Sequence, residues 1–393
     1  MASIDFKSEA QAMKDQLIAW RRDFHRHPEL GFQEVRTSGV VAKHLADLGI
    51  EVQTGVGKTG VVGVIDGGKP GPAIMLRFDM DALPIAEETG TEYASQNTGV
   101  MHACGHDAHT AIGMGVAQLL TRHRQQLNGT VKLVFQPGEE GCGGALAMIN
   151  DGVLQGPQPL ISMGLHVWND LPVGKASAGA GAVMAAGGLF KIVVRGRGGH
   201  GAQPDQTVDV VLVGSAIANA LQTIVARNVA PRRTAVVTVG TFHAGSAFNI
   251  IADSAELTGT FRSFDDATHE LIMRRIREVA EGTARTLGAT AEVEIRPISP
   301  VTVNDTGVAQ VVREAAAEVL GEEQVDPDQF TMGSEDMSEF LKRVPGCFFF
   351  LGSRNDDRNF NAPHHNPRFD IDEDVLPLGV AILSQAAVQY LSR

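Results

Sequence analysis

The sequence predicts an α/β protein: a domain with a mostly parallel sheet, interrupted by an inserted, ferredoxin-like α+β domain. Three observations carry that expectation. Apolar β-rich runs alternate with helical spacing up to about residue 180, a small and Gly-rich stretch "SAGAGAVMAAGG" follows, and a β-α-β-β-α-β succession comes after it before the first pattern resumes. The expected boundaries are 1–184 and 298–393 for the interrupted domain and 185–297 for the insertion, a length within ordinary domain anatomy.

Taken in order, 6–25 and 32–48 carry apolar residues at helical spacing. The runs "VVGVID" (61–66), "AIMLRFD" (73–79), "VKLVFQ" (131–136) and "LISMGLHV" (160–167) read as strands, with helices at 106–123 and 143–150 among them. Strands that alternate with helices form a sheet covered on both faces. In the insertion, strands are expected at 189–195, 235–242, 254–262 and 289–296, and helices at about 207–226 and 266–286. A helix at 305–320, the strand "CFFFLG" and a helix at 374–391 return to the first pattern.

Composition narrows the partners. The chain has 393 residues, more than one core usually holds, and carries a net charge of −13 with no long basic cluster, which argues against nucleic acid. Its first residues, "MASIDFKSEAQAMKDQ", are polar, and no window reaches 18 uninterrupted apolar residues, so no membrane association is expected and the reading is cytoplasmic. Cys104, Cys142 and Cys347 are odd in number and widely spaced, which suits a reducing compartment. Cys347 lies in an apolar strand and reads as core, whereas Cys104 lies in "VMHACGHDAHTAIGMG" beside His102, His106 and His109.

That crowding points to metal ligation. "RFDMDALP" closes a strand with Asp79 and Asp81 at i and i+2, so both side chains are expected on one face at the end of the strand, where ligand sites of open α/β sheets lie. The alternative is a turn or N-cap pair. Cys104 and His106 flank Gly105 at the start of a helix, whose N-terminus is expected to lower the thiol pKa and favour a thiolate. His102 and His109 have weaker claims, as groups that orient ligands or face solvent. "LVFQPGEEGCGGA" sets Glu139 and Glu140 side by side at a turn, so one can ligate while its neighbour acts on water; alone, the pair also reads as acids at a helix N-terminus. "GLHVW" puts His166 at the end of another strand, and "APHHNPRFD" puts His364 and His365 in a Pro-bounded loop. Each His alone is an ordinary structural residue, but together with Cys104, Glu139 and Glu140 they fall at strand ends or the loops leaving them and can converge on one sheet edge.

These stretches, together with "RRDFHRHPELGFQE", "DMDALPI", "RGRGGHGAQP", "AVVTVG", "FNIIAD" and "MGSEDM", resemble the M20 metallopeptidase/amidohydrolase family, in its branch of hippurate hydrolases, N-acyl-amino-acid deacetylases and auxin-conjugate amidohydrolases. The likeness runs from residue 21 to residue 370. It implies a site for two divalent ions (Zn, Mn, Co or Ni) held by Cys104, His106, Glu140, His166 and a C-terminal His. The family's last ligand directly precedes a Ser/Asn-Pro step, which points to His365, with His364 as the alternative. Glu139 corresponds to the general base and Asp81 to the strand-end acid that orients a ligand or supports that base. Two ions about 3.5–4 Å apart can share a water and polarise a carbonyl. Glu139 would take the water's proton and return it to the leaving amine, with the Cys104 thiolate between the ions.

The resemblance also implies that the insertion acts as a lid and dimerisation domain, so that the chain forms a homodimer or higher oligomer. There His200 reaches a substrate site, often across a dimer, to stabilise the oxyanion, and Asn249 and Arg262 match positions that hold the substrate carboxylate or support the fold. Asp205 stands where relatives often have His, and Val210 where they often have Pro. The Gly196/Gly198/Gly201 pattern invites a dinucleotide site, yet Pro204 follows closely and "LQTIV" stands where a ribose-binding acid belongs. A serine hydrolase is disfavoured because no G-x-S-x-G occurs. The expected activity is hydrolysis of N-acyl amino acids, with acetyl, aroyl or aryl-acetyl groups, to a carboxylate and a free amino acid. A dipeptidase and a catalytically silent binding protein are the alternatives.

Overall fold

A computed structural model describes residues 4–393, so positions 1–3 of the expected first segment lie outside the described residues. The chain forms two compact units: one runs to Val183 and resumes over Val303–Phe330 and Asp336–Arg393, and the other is Met184–Thr302 with Thr331–Glu335. The expected boundary at 297/298 falls inside a strand, Thr290–Ser299, and the short return at 331–335 has no counterpart in the sequence reading.

The first unit is built on an eight-stranded sheet. At its centre, Asn128–Gln136, Lys69–Asp79, Pro159–Pro172 and Gly346–Arg354 lie side by side and parallel. These are the strands that read as near-continuous apolar runs, as strands covered on both faces do. The flank beyond Asn128–Gln136 is antiparallel, through Gly60–Asp66 and Glu51–Val56. The outermost strand was not foreseen, because "EVQTGV" is polar and exposed along most of its length.

Helices His106–Arg122 and Val375–Leu391 are buried along nearly their whole length. The expected helix at 6–25 is two helices, Phe6–Gln11 and Lys14–Arg26, and the one at 32–48 is shortened to Val35–Asp47. Phe32 takes a positive φ of 64°, which a helix does not accommodate.

Close packing of the helix that begins at His106 depends on Gly113. A β-carbon there would meet the Phe78 and Phe135 rings at 2.6–2.7 Å, atoms fixed in the sheet below. Gly113→Ala is therefore expected to cost about 1–3 kcal/mol through overpacking, read as a lowered melting temperature.

The second unit has four antiparallel strands in the spatial order Ala235–Ala244, Ser254–Ser263, Ala186–Arg195, Thr290–Ser299. Numbered along the chain this is 2-3-1-4, the ferredoxin-like arrangement. Helices Val210–Arg227 and Asp266–Thr286 begin at Asp209 and Asp265, whose carboxylates accept from backbone N–H groups of the first turn. Phe190, Ile192, Leu257 and Phe261 of the sheet share one core with Ile217, Leu221 and Ile276 of the helices. Val210–Arg227 is long and apolar enough to cross a membrane by composition, but its Val213, Ile217, Leu221 and Ile224 face is spent on this core.

Candidate metal centre

The ends of two parallel strands, the interior of a third and the loop before one helix bring the soft and charged residues of the first unit together; the third strand runs on to Pro172, so His166 lies within it and not at the expected end. Cys104 precedes the helix N-cap Gly105, whose φ of 88° suits a residue without a β-carbon. Ligand atoms of Cys104, His106 and His166 all lie within 4.8 Å of one another, and so do those of Cys104, Glu140 and His365, and of His106, Glu139 and Glu140. Cys104 is common to two of these groups, and Glu140 to two.

The histidines are oriented by their outer nitrogens. His106 Nδ1 lies 2.9 Å from the Asp81 carbonyl and 3.3 Å from its carboxylate, so that nitrogen donates and Nε2 is the one that a metal would take in exchange for its proton. His166 donates from Nδ1 to the Val167 carbonyl at 2.7 Å and turns Nε2 toward Cys104 Sγ at 3.5 Å. His106 Nε2 is buried and makes no hydrogen bond, and the buried Glu140 Oε1 has only His365 Nε2, 3.3 Å away, beside it. Buried polar atoms are rarely left so, and a cation between them satisfies both. The donor set of thiol, imidazole and carboxylate therefore fits a divalent metal of borderline softness.

The electrostatics agree. Burial depresses the His106 imidazole, but Asp79 and Asp81 outweigh it and hold its pKa at about 10. Burial, with Glu140 and Glu139 nearby, pushes the Cys104 thiol well above its ordinary range. This corrects the expectation drawn from the helix N-terminus: the partial positive charge of the dipole is outweighed by burial and by two carboxylates. A thiolate here requires a cation to offset those charges.

Asp79 and Asp81 both approach His106, Asp79 Oδ2 at 3.7 Å from Nε2 and Asp81 Oδ1 at 3.3 Å from Nδ1. The strand ends at Asp79, so strand alternation does not extend to Asp81. Asp79 accepts from Arg77 and from His109 Nδ1, both at 2.5 Å, while Asp81 addresses His106 and accepts the Glu140 N–H at 3.0 Å. His109 Nε2 in turn accepts the Val167 N–H at 2.9 Å, beside His166. His102 does not face solvent: it is buried with no hydrogen bond to either ring nitrogen, and burial lowers its pKa to about 4.

The two candidate C-terminal histidines differ. His365 Nε2 lies 3.3 Å from Glu140 Oε1, on a backbone with a φ of 64°. His364 stacks on Trp168 at 4.7 Å, tilts against Phe369, and uses Nε2 to accept the Asn169 N–H at 3.3 Å. Its Nδ1 is 3.9 Å from Cys104 Sγ, and burial together with His365 lowers its pKa to about 3.

The remaining candidates belong to the second unit. His200 is exposed on the two-residue strand Gly199–His200, paired with Ile250, and Asn249 beside it is exposed. Arg262 is half-buried and donates to the Phe261 carbonyl at 2.9 Å.

Two residues that hold this site were missed by the sequence reading. Glu34 reads as part of a helical run and Asp336 as one of two acids in "SEDM", yet Glu34 accepts the Gly138 N–H and Asp336 donates its own N–H toward Glu139 Oε1. Both lie in stretches that carry the family resemblance, "RRDFHRHPELGFQE" and "MGSEDM", but no local spacing links 34 or 336 to 139.

Known proteins share both fold and sequence. The profile of peptidase family M20/M25/M40 matches residues 75–389. Thermostable carboxypeptidase 1 of Saccharolobus solfataricus is 39% identical over 391 residues, covering 98% of each chain. N-acetylcysteine deacetylase of Bacillus subtilis is 39% identical over 382 residues, covering 97% of this chain and 98% of its own. The crystal structure of Bacillus subtilis YXEP protein, described as a dinuclear metal-binding peptidase, superposes with a TM-score of 0.83 at 36% identity, covering 97% and 99% of the two chains.

Proposed function

The chain belongs to peptidase family M20/M25/M40, hydrolases of amide bonds, and from that premise we propose that it is a dinuclear amidohydrolase that cleaves N-acyl amino acids to a carboxylate and a free amino acid. The observation that carries the reading is the pair of overlapping ligand groups that share Cys104, with Glu139 beside them. In this reading Cys104, His106, Glu140, His166 and His365 hold two divalent ions drawn from Zn, Mn, Co and Ni. Bound divalent metal supplies Lewis acidity to the scissile carbonyl and lowers the pKa of water.

The chain's own groups do the rest. Glu139 accepts a proton from the attacking water as its oxygen bonds to the carbonyl carbon. It then returns that proton to the nitrogen as the C–N bond breaks. Asp81 holds His106 and the Glu140 backbone in place. His200 is assigned to the developing oxyanion, and Asn249 and Arg262 to the substrate carboxylate. Dimerisation through the second unit and a cytoplasmic location complete the proposal. The three cysteines, all unpaired, support the latter.

A peptidase acting on free dipeptides is the second reading, favoured by the likeness to a carboxypeptidase. The test is release of free amine from N-acetyl, N-benzoyl and indole-acetyl amino acids and from dipeptides, with protein stripped by chelator and reloaded with each metal. Metal-dependent turnover of an acyl amino acid, with kcat/KM at least about tenfold above any dipeptide, is expected. The reverse order would establish the peptidase.

A further inference from the structure

The loop that carries Glu139 and Glu140 has little regular structure of its own. Gly138, Gly141 and Gly143 all have positive φ, and its internal backbone bonds include Gly141 N to Glu139 O at 2.6 Å and Gly144 N to Gly138 O at 3.0 Å. Three of its other N–H groups point outward, to carboxylates from three distant parts of the chain. Glu34 Oε1 accepts from Gly138 N at 2.9 Å, Asp81 Oδ2 from Glu140 N at 3.0 Å, and Asp336 Oδ2 from Ala145 N at 2.9 Å. All three acids are buried.

Each acceptor is itself held. Thr59 Oγ1 donates to Glu34 Oε2 at 2.5 Å. Asp336 Oδ1 accepts from Gln136 Nε2 at 2.7 Å and from Arg77 Nη2 at 3.1 Å, and the same guanidinium donates to Asp79 and to Gln136 Oε1. The Asp336 N–H points at Glu139 Oε1 at 3.4 Å. Charge-assisted bonds to a carboxylate are short and directional, and leaving a buried N–H unpaired is costly, so these contacts define where the loop backbone can sit. Glu139 follows Gly138 and precedes Glu140, so its approach to the site is set by the acceptors on both sides.

We propose that Glu34 and Asp336 are positioning residues that, with Asp81, clamp the Pro137–Ala145 loop and so aim Glu139 and Glu140. The inference rests on the reading of Glu139 as general base and Glu140 as ligand. Glu34 does not touch the reacting atoms, and Asp336 meets Glu139 through its backbone N–H, which a side-chain substitution leaves in place. Their effect passes through the loop, which separates them from residues that bind substrate.

The test uses the full-length holoenzyme and the variants Glu34→Gln, Asp336→Asn, Glu139→Gln, and each of the first two combined with the third. Each single clamp variant is expected to lower kcat about ten- to a hundredfold with KM within about twofold, and to weaken Zn²⁺ affinity, measured by chelator competition, about tenfold or more. In the Glu139→Gln background, assayed at Zn²⁺ concentrations that fill the site in every variant so that the Glu140 effect is removed, the same substitutions are expected to cause no further loss of the residual kcat, because what remains of their effect acts through the Glu139 side chain. Should Asp336→Asn prevent folding, Thr59→Val, which removes only the hydroxyl that steadies Glu34, is expected to lower kcat about threefold with unchanged KM.

Unchanged kcat and Zn²⁺ affinity in the single variants, with Glu139→Gln inactive, would overturn the clamp and leave the base assignment standing. Losses that multiply in the double variants would do the same. Full turnover by Glu139→Gln would overturn both.

Discussion

Glu139→Gln is expected to lower kcat by about a thousandfold while metal content stays at the wild-type level, because general acid–base catalysis is worth about 10²–10⁴ in rate. Glutamine preserves the shape of the side chain and an oxygen to accept the Asp336 N–H, which lies 3.4 Å from Glu139 Oε1. It removes the one property the mechanism needs, a carboxylate that can take up a proton and release it. KM should change little, since the substitution removes an interaction made in the transition state. Amine release under saturating substrate, alongside metal analysis of the same sample, decides the matter. Activity within about tenfold of wild type, with both ions present, would remove Glu139 from the base role.

His365→Ala and His364→Ala are expected to fail in different ways. His365 stands with Glu140 and Cys104 in one ligand group, so its loss should empty one metal position and abolish turnover. Burial pulls its imidazole down, but the hydrogen bond and charge of Glu140 are the larger influence and raise it, so the pair is tightly linked. His364 is packed between Trp168 and Phe369, with Nε2 committed to a backbone N–H. Its truncation should leave a cavity and an unpaired donor, costing about 2–4 kcal/mol of stability while two equivalents of metal are retained. Metal stoichiometry and thermal unfolding of the two variants separate these outcomes. A His364→Ala protein that folds normally and loses a metal equivalent would exchange the roles.

The clamp extends the same logic outward from the site. In the proposed mechanism a base and a ligand on one glycine-rich turn are useful only if that turn has a single conformation, and the turn cannot supply one by itself. Buried acceptors from positions 34, 81 and 336 supply it. The Arg77 guanidinium links the last of them to Asp79, and Asp79 through His109 to the strand that carries His166. The ligand strand and the base loop are thus joined by one continuous buried polar chain.

Much of this protein was legible in the sequence. The apolar runs at 73–79, 131–136 and 160–167, the helix beginning at His106 and the β-α-β-β-α-β order all depend on spacings of two to four residues, and those spacings survive in any linear reading. The clustering of Cys104, His106, Glu139 and Glu140 was also visible, because unlike ligand types crowd into short segments. What tertiary structure alone decided were relations between distant positions. The polar strand Glu51–Val56 gains its identity from its partner Gly60–Asp66, the Cys104 thiol is raised by burial and by carboxylates from another loop, and His365 is distinguished from His364 by what each meets in space. Glu34 and Asp336 became functional candidates for the same reason: hydrogen bonds and Coulomb interactions depend on distance in space, which local sequence spacing does not encode.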